Sequence, residues 1–356
     1  MQPRGGMRMG SKRLQQAITC LAVILILTAG LLTGATTAFA EAEFKLKLVG
    51  INRSNDLYKL WEDFSKSVQE KTNGRVEFEL TSLPELGFGG AELIRMMKRG
   101  IVDVAEIYGG YVAGEVPLME ILELPGIFKD GEMAQKAIMA WKDSESEILK
   151  NRADAVVLAM SAYPDQAFFT KKPINSLADF KGLKTRVHSV ALSRLVAGLG
   201  GEPLTIAFAE VYTAMERGTV DAAITGTKPG YDQRWYEVAK YLVGPISMRP
   251  HVAFAINRKV WNKLPEDIQT IMREEAADKI EAATFKQLEG WNQEGIDKSV
   301  EKGMTHQPFT PEIRDAITKV LREKVIPDWI ERAGGQKAAD LFNEIIAPLV
   351  GYEVKP

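Results

Sequence analysis

Residues 43–51, EFKLKLVGI, alternate: Phe44, Leu46 and Leu48 fall on one face of an extended strand, with lysines between them. The next stretch, Asn55–Thr72, changes period. Leu57, Leu60, Trp61, Phe64 and Val68 recur at helical spacing, and Asn73-Gly74 supplies a stop. RVEFELTSL then alternates again as a second strand. Towards the C-terminus, Ile268, Ile271, Met272, Ala276, Ile280 and Ala283 keep helical spacing within a run from Pro265 to about Lys302, with Glu266 and Asp267 at its positive end. At about 1.5 Å per residue such a helix exceeds roughly 50 Å, so it is expected to lie across more than one lobe. Gly290 and Gly295 predict a bend in it.

One unit occurs twice. RMMKRGIVDVAEI (Arg95–Ile107) and TAMERGTVDAAIT (Thr213–Thr225) share Met, Arg-Gly, Val-Asp and Ala in register. Each reads as an amphipathic helix stopped by a glycine that takes the left-handed conformation, followed by a short strand. Two similar lobes are expected. Strands alternating with helices predict an α/β fold with mostly parallel sheets, in which ligands bind beyond the carboxyl ends of strands. Those ends carry Asn52, Arg53, Tyr108, Arg186 and Thr225.

The first forty residues differ in kind. Arg4, Arg8, Lys12 and Arg13 precede an uncharged stretch from Leu14 to Ala40 that contains CLAVILIL and ends Ala38-Phe39-Ala40, the small-x-small form of a signal peptidase site. Residues 1–40 are therefore expected to be a cleaved export signal, placing the mature chain in the periplasm. The single cysteine, Cys20, lies inside this signal. The mature chain is thus left without disulfide or cysteine-metal chemistry. It keeps 41 Lys+Arg against 47 Asp+Glu, a net of −6, which argues against a nucleic-acid partner.

Candidate chemistry concentrates in DFKGLKTRVHS, Asp179–Ser189. After a turn at Gly182, Leu183, Thr185 and Val187 alternate, and Arg186 sits near the carboxyl end of that short strand. A guanidinium there calls for an anion, because a buried charge without a partner costs several kcal/mol, on the order of 3–5. The signs of an enzyme are weak. His188, His251 and His306 are scattered without metal-ligand spacing, and His188 is expected at the surface or a hinge. GFGGAEL lacks the spacing of a phosphate loop, and YDQRWYEVAKYL places Tyr231, Trp235 and Tyr236 as core packing. No cofactor or metal is expected.

Several stretches together resemble one family: TNGRVEFEL followed by LPELG, RGIVDVAEI, LADFKGLKTRV, FAEVYTAMERGTVDAA, YEVAKYL and NRKVWNKLPEDIQ. They are similar to the DctP family, the solute-binding proteins of tripartite ATP-independent periplasmic (TRAP) transporters. The resemblance implies a periplasmic-binding-protein-like fold of two α/β lobes around a ligand cleft, with a long helix over both. It implies capture of an organic acid and delivery to the small and large membrane subunits of a permease; an exported enzyme or a sensory receptor on the same fold are the alternatives. It also implies that Arg186, in KGLKTRV, pairs with the ligand carboxylate. The chain departs from the family at two places. Gln166 and Ala167 stand where many members carry a second arginine, and Thr225 stands where many have asparagine. Phe168, Phe169 and Phe208 bring aromatic surface instead, which implies one carboxylate and a less polar body. The expected site is Arg186 with Thr225, Phe208, Tyr108, Asn52, Gln166 and Phe168. The expected lobes are 41–164 plus 252–290, and 165–251 plus 291–356.

Overall fold

The computed structural model describes residues 41–356. The expected export signal, 1–40, lies outside the described residues. Among the described residues, eleven strands form two sheets. The first holds β1 (Phe44–Gly50), β2 (Val76–Ser82), β3 (Val104–Tyr108), β4 (Ala155–Ala162) and β10 (His251–Asn257), in the order β2-β1-β3-β10-β4. The second holds β5 (Gln166–Thr170), β6 (Lys184–Val187), β7 (Glu202–Thr205), β8 (Ala222–Gly226), β9 (Tyr241–Val243) and β11 (Thr305–Gln307), in the order β11-β9-β5-β8-β6-β7. The sheets are mixed, not mostly parallel as expected. β10 runs antiparallel to β3 and β4, and β5 antiparallel to β8 and β9. The reason is topological. The chain passes from the first sheet to the second between β4 and β5, returns between β9 and β10 and reaches the second again at β11; β5 and β10, the strands that run against their neighbours, are the ones that directly follow the first two crossings.

The periodicities hold where they were strongest. The helix Asp56–Lys71 buries Leu57, Leu60, Trp61, Phe64 and Val68. The Trp61 indole stacks on Phe254 of β10 with ring centroids 4.6 Å apart, and each such side chain adds roughly 1.5–3 kcal/mol of burial. The repeated unit forms twice. The helix Leu93–Arg99 ends at Gly100 (φ 68°) and runs into β3; the helix Val211–Glu216 is followed by Gly218 (φ 74°) and β8. The likeness extends beyond the shared letters. Asp103 exchanges backbone and carboxylate hydrogen bonds with Lys47 of β1, and Asp221 does the same with Lys184 of β6. In both sheets the aspartate clasps the neighbouring parallel strand, fixing where the following carboxyl end stands.

The long helix runs from Glu266 to Glu301, passing through a π-helical turn at Ala276–Ala282. It runs unbroken through Gly290 and Gly295. Gly295 is needed for close approach: a Cβ there would stand 2.3 Å from the backbone nitrogen of Lys228. The C-terminal helices also reach both sheets' surroundings. Asp328 pairs with Arg194 at 2.7 Å, while Arg332 pairs with Glu120 at 2.7 Å and the Trp329 indole donates to the Pro117 carbonyl.

The two helix glycines are expected to respond oppositely to substitution. Gly290 has no atom within 4 Å of a built Cβ, so Gly290→Ala should stabilise the fold by about 0.5–1 kcal/mol. Gly295→Ala should destabilise it by about 1–3 kcal/mol, because backbone must move. Urea denaturation of both variants checks the pair.

Candidate functional site

The carboxyl ends of β1, β3, β6 and β8 converge on one cavity between the two sheets. Arg186 enters it from β6 and is 1% exposed. Its Nε donates to the Ile206 carbonyl at 3.0 Å and one Nη1 hydrogen to the Ile224 carbonyl at 2.9 Å. The Phe208 ring lies 5.8 Å from its Cζ. No carboxylate among the described residues forms an ion pair with it. Burial holds its pKa below the usual arginine value, and the hydroxyls of Tyr111 and Tyr108 only partly offset that.

A chain of hydrogen bonds crosses the cavity between the lobes. Tyr108, at the end of β3, lies with its hydroxyl 2.9 Å from Glu123 Oε2 and 3.1 Å from His188 Nδ1. His188 Nε2 lies 2.9 Å from Gln166 Oε1, and the Gln166 amide nitrogen donates to the Pro164 carbonyl. His188 is held well below the ordinary histidine pKa by burial and by the Arg186 charge. Nε2 faces the Gln166 amide oxygen and so carries the imidazole proton, while the single Tyr108 proton goes to Glu123. On the first lobe, Glu106 accepts from the Ile51 amide (3.0 Å), the Trp61 indole (2.9 Å) and the Tyr163 hydroxyl. Behind Glu123, the fully buried His251 stands 3.2 Å from both Glu123 and Glu145.

Of the residues expected at the site, Arg186, Thr225, Phe208, Tyr108 and Gln166 line this cavity. Asn52 and Phe168 do not. Asn52 folds back to accept from the amide and hydroxyl of Ser54, forming a local turn. Phe168 lies on the same strand face as Gln166 but two residues deeper, where it packs against Phe180 and Phe309. Phe169 likewise belongs to the core, against Trp235. His188, expected at the surface or a hinge, lines the cavity instead, because it is the second residue after Arg186 and so shares its side of the chain. Asn55, Tyr111 and Tyr163 were not expected there; each arrives from a loop or helix start, where periodicity carries no signal. A cavity of about 340 Å3, its mouth included, lies between these walls. At its rim Lys228 reaches Asp56 at 3.3 Å and Gln233 donates to Ser54 Oγ at 2.7 Å, each pair joining the two lobes.

The model of the DctP family, bacterial extracellular solute-binding protein family 7, matches residues 51–331. The chain belongs to family 7. It is a solute-binding protein of the TRAP type. A solute-binding protein of Roseobacter denitrificans is 27% identical over 87% of this chain and 94% of its own length. The C4-dicarboxylate-binding periplasmic protein DctP of Rhodobacter capsulatus is 26% identical over 78% of this chain and 83% of its own. Among solved structures, DctP7, a Bordetella pertussis extracytoplasmic solute receptor binding pyroglutamic acid, superimposes with a TM-score of 0.79 at 23% identity, covering 86% of this chain and 99% of that one. Among the described residues of the receptor, no helix is long and apolar enough to cross a membrane, and no cluster of His, Cys, Asp and Glu is arranged to hold a metal ion.

The buried His251 gives the receptor a pH signature. Burial alone would push the imidazole down, but the facing Glu145 and Glu123 outweigh it and push the group up to about 10. A pKa raised above the roughly 6.5 of free histidine adds stability that is complete below about pH 6.5 and is lost as pH rises through about 10. Ligand-free melting temperature should therefore fall between pH 7 and 10, and fall less steeply in His251→Gln, although that variant starts lower. Parallel slopes would show that the imidazole is uncharged in the fold.

Proposed function

We propose that the receptor captures a small monocarboxylic acid between its lobes, anchored by Arg186, and hands it unchanged to the small and large membrane subunits of a TRAP permease. The observation that carries this is the buried guanidinium with two hydrogens tied to carbonyls and no carboxylate partner. The remaining N–H groups of the guanidinium, which the Tyr111 hydroxyl also meets, are the donors for the two oxygens of a carboxylate. Arg186 is also the one cation among the lining residues, His188 being neutral. That favours one carboxylate over two, unlike the dicarboxylate-binding relative. In this reading Thr225, Tyr108 and Gln166 supply polar contacts, Phe208 supplies a wall, and the lobes 41–164 plus 252–290 and 165–251 plus 291–356 close on the solute. The mature protein works in the periplasm after cleavage behind Ala40.

Mass spectrometry of acid released from freshly purified, denatured receptor, followed by calorimetric titration with that acid, tests the reading. Arg186→Ala should lose about 2–5 kcal/mol of affinity, roughly thirty-fold to several thousand-fold. Arg186→Lys should recover only part, since a point charge cannot hold two oxygens in one plane. Near-wild-type affinity in Arg186→Ala would sink the anchor. Intact mass of the periplasmic protein should begin at Glu41; a form retaining residues 1–40 counts against cleavage.

A further inference from the structure

The wall of the cavity built by the first lobe carries an acceptor whose direction the fold fixes. Burial raises the pKa of Glu106, and three hydrogen bonds that it accepts, from the Tyr163 hydroxyl, the Ile51 amide and the Trp61 indole, oppose that push. One of those donors is the Tyr163 hydroxyl. A phenol has one proton, so the Tyr163 oxygen, having given it to Glu106, can only accept from its other neighbour. That neighbour is the Asn55 amide, whose Nδ2 lies 3.1 Å away. Turning the amide over would set two acceptors against each other. Asn55 Oδ1 is thus committed to the other direction, and there it has no partner, although the residue is 2% exposed and lines the cavity. A second feature agrees. Asn55 is the N-cap residue of the helix Asp56–Lys71, a place where asparagine ordinarily bonds a backbone amide for about 1 kcal/mol, yet its side chain makes no capping bond. It forgoes the cap and faces the cleft.

We propose that Asn55 determines which acids the receptor takes: its Oδ1 receives an N–H or O–H of the solute. The solute is then a small carboxylic acid that also bears a hydrogen-bond donor, with its carboxylate on Arg186 of the second lobe and its donor on Asn55 of the first. This rests on the carboxylate reading of the site. It adds a requirement that Arg186 cannot impose, because a buried acceptor facing CH2 or oxygen stays unpaired.

Two matched pairs of acids test it: L-pyroglutamate against its carbocyclic analogue, in which CH2 replaces the ring N–H, and p-hydroxybenzoate against p-fluorobenzoate. For at least one pair the donor-bearing member should bind the wild-type receptor about ten- to a thousand-fold tighter by calorimetry. The ratio should collapse towards one in Asn55→Ala, with Arg186 intact. In Tyr163→Phe, where the amide is free to turn, it should shrink while Asn55 remains. Equal affinities within a pair that binds wild-type receptor, or a ratio unchanged in Asn55→Ala, overturn the role of Asn55 and leave the carboxylate anchor standing. If no member of either pair raises the melting temperature and no acid is released on denaturation, the carboxylate reading falls and this inference with it.

Discussion

The constraint on which the rest of the structure depends is the burial of one positive charge. Arg186 sits in the closed cleft with two carbonyls, an aromatic ring and nearby tyrosines, none of which carries a compensating charge. Closing the lobes without an anion therefore removes a guanidinium from water for little return. With an anion in place, the same low-dielectric closure strengthens the pair. In the proposed reading that differential favours the closed form when the solute is present, which is the condition for a ligand to shift a conformational population.

The acids near the cleft are arranged so as not to interfere. Glu106 is occupied by three donors from its own lobe, Glu123 lies between Tyr108 and His251, and Glu145 faces the other side of His251. Each carboxylate has a partner on its own side of the cleft, and none pairs with Arg186. The tyrosines make this separation work. Tyr108 and Tyr163 turn buried carboxylates into positioned hydroxyls at the cavity wall, converting charge that would compete with an anionic solute into polarity that can orient it.

How much of this was legible in the sequence follows from which signals are local. The helix Asp56–Lys71, the long helix from Glu266 and the repeated helix-Gly-strand unit were readable because periodicity and glycine punctuation are properties of adjacent residues. Arg186 was readable because a lone charge interrupts an otherwise ordinary strand pattern. The direction of β5 and β10 was not, since it depends on where the chain crosses between sheets. Nor was the depth of Phe168 or the aim of Asn55. Phe168 differs from Gln166 only by two places along one strand. Asn55 read as a good helix cap, and only the proton on Tyr163, fixed by a carboxylate 57 residues away in sequence, shows that its side chain is spent elsewhere. The histidine clamped by Glu123 and Glu145 likewise joins residues from three separate elements.

The division between apolar and polar contacts then indicates how the lobes separate. The long helix buries Ile268, Met272 and Ile280 along its first part and sets Gly295 directly against the backbone at Thr227 and Lys228 in the second lobe. Those contacts are dry or too close for water, and parting them would expose apolar surface or leave a void. The rim contacts are of the opposite kind. Lys228 with Asp56, and Gln233 with Ser54, join polar groups whose hydrogen bonds water replaces at small net cost. The inexpensive path for opening therefore runs through the rim and the two crossing segments between β4 and β5 and between β9 and β10, while the helix stays seated on both lobes. In the proposed reading, closure costs mainly the desolvation of Arg186 and of the unpaired Asn55 acceptor, and one solute that meets both offsets both costs.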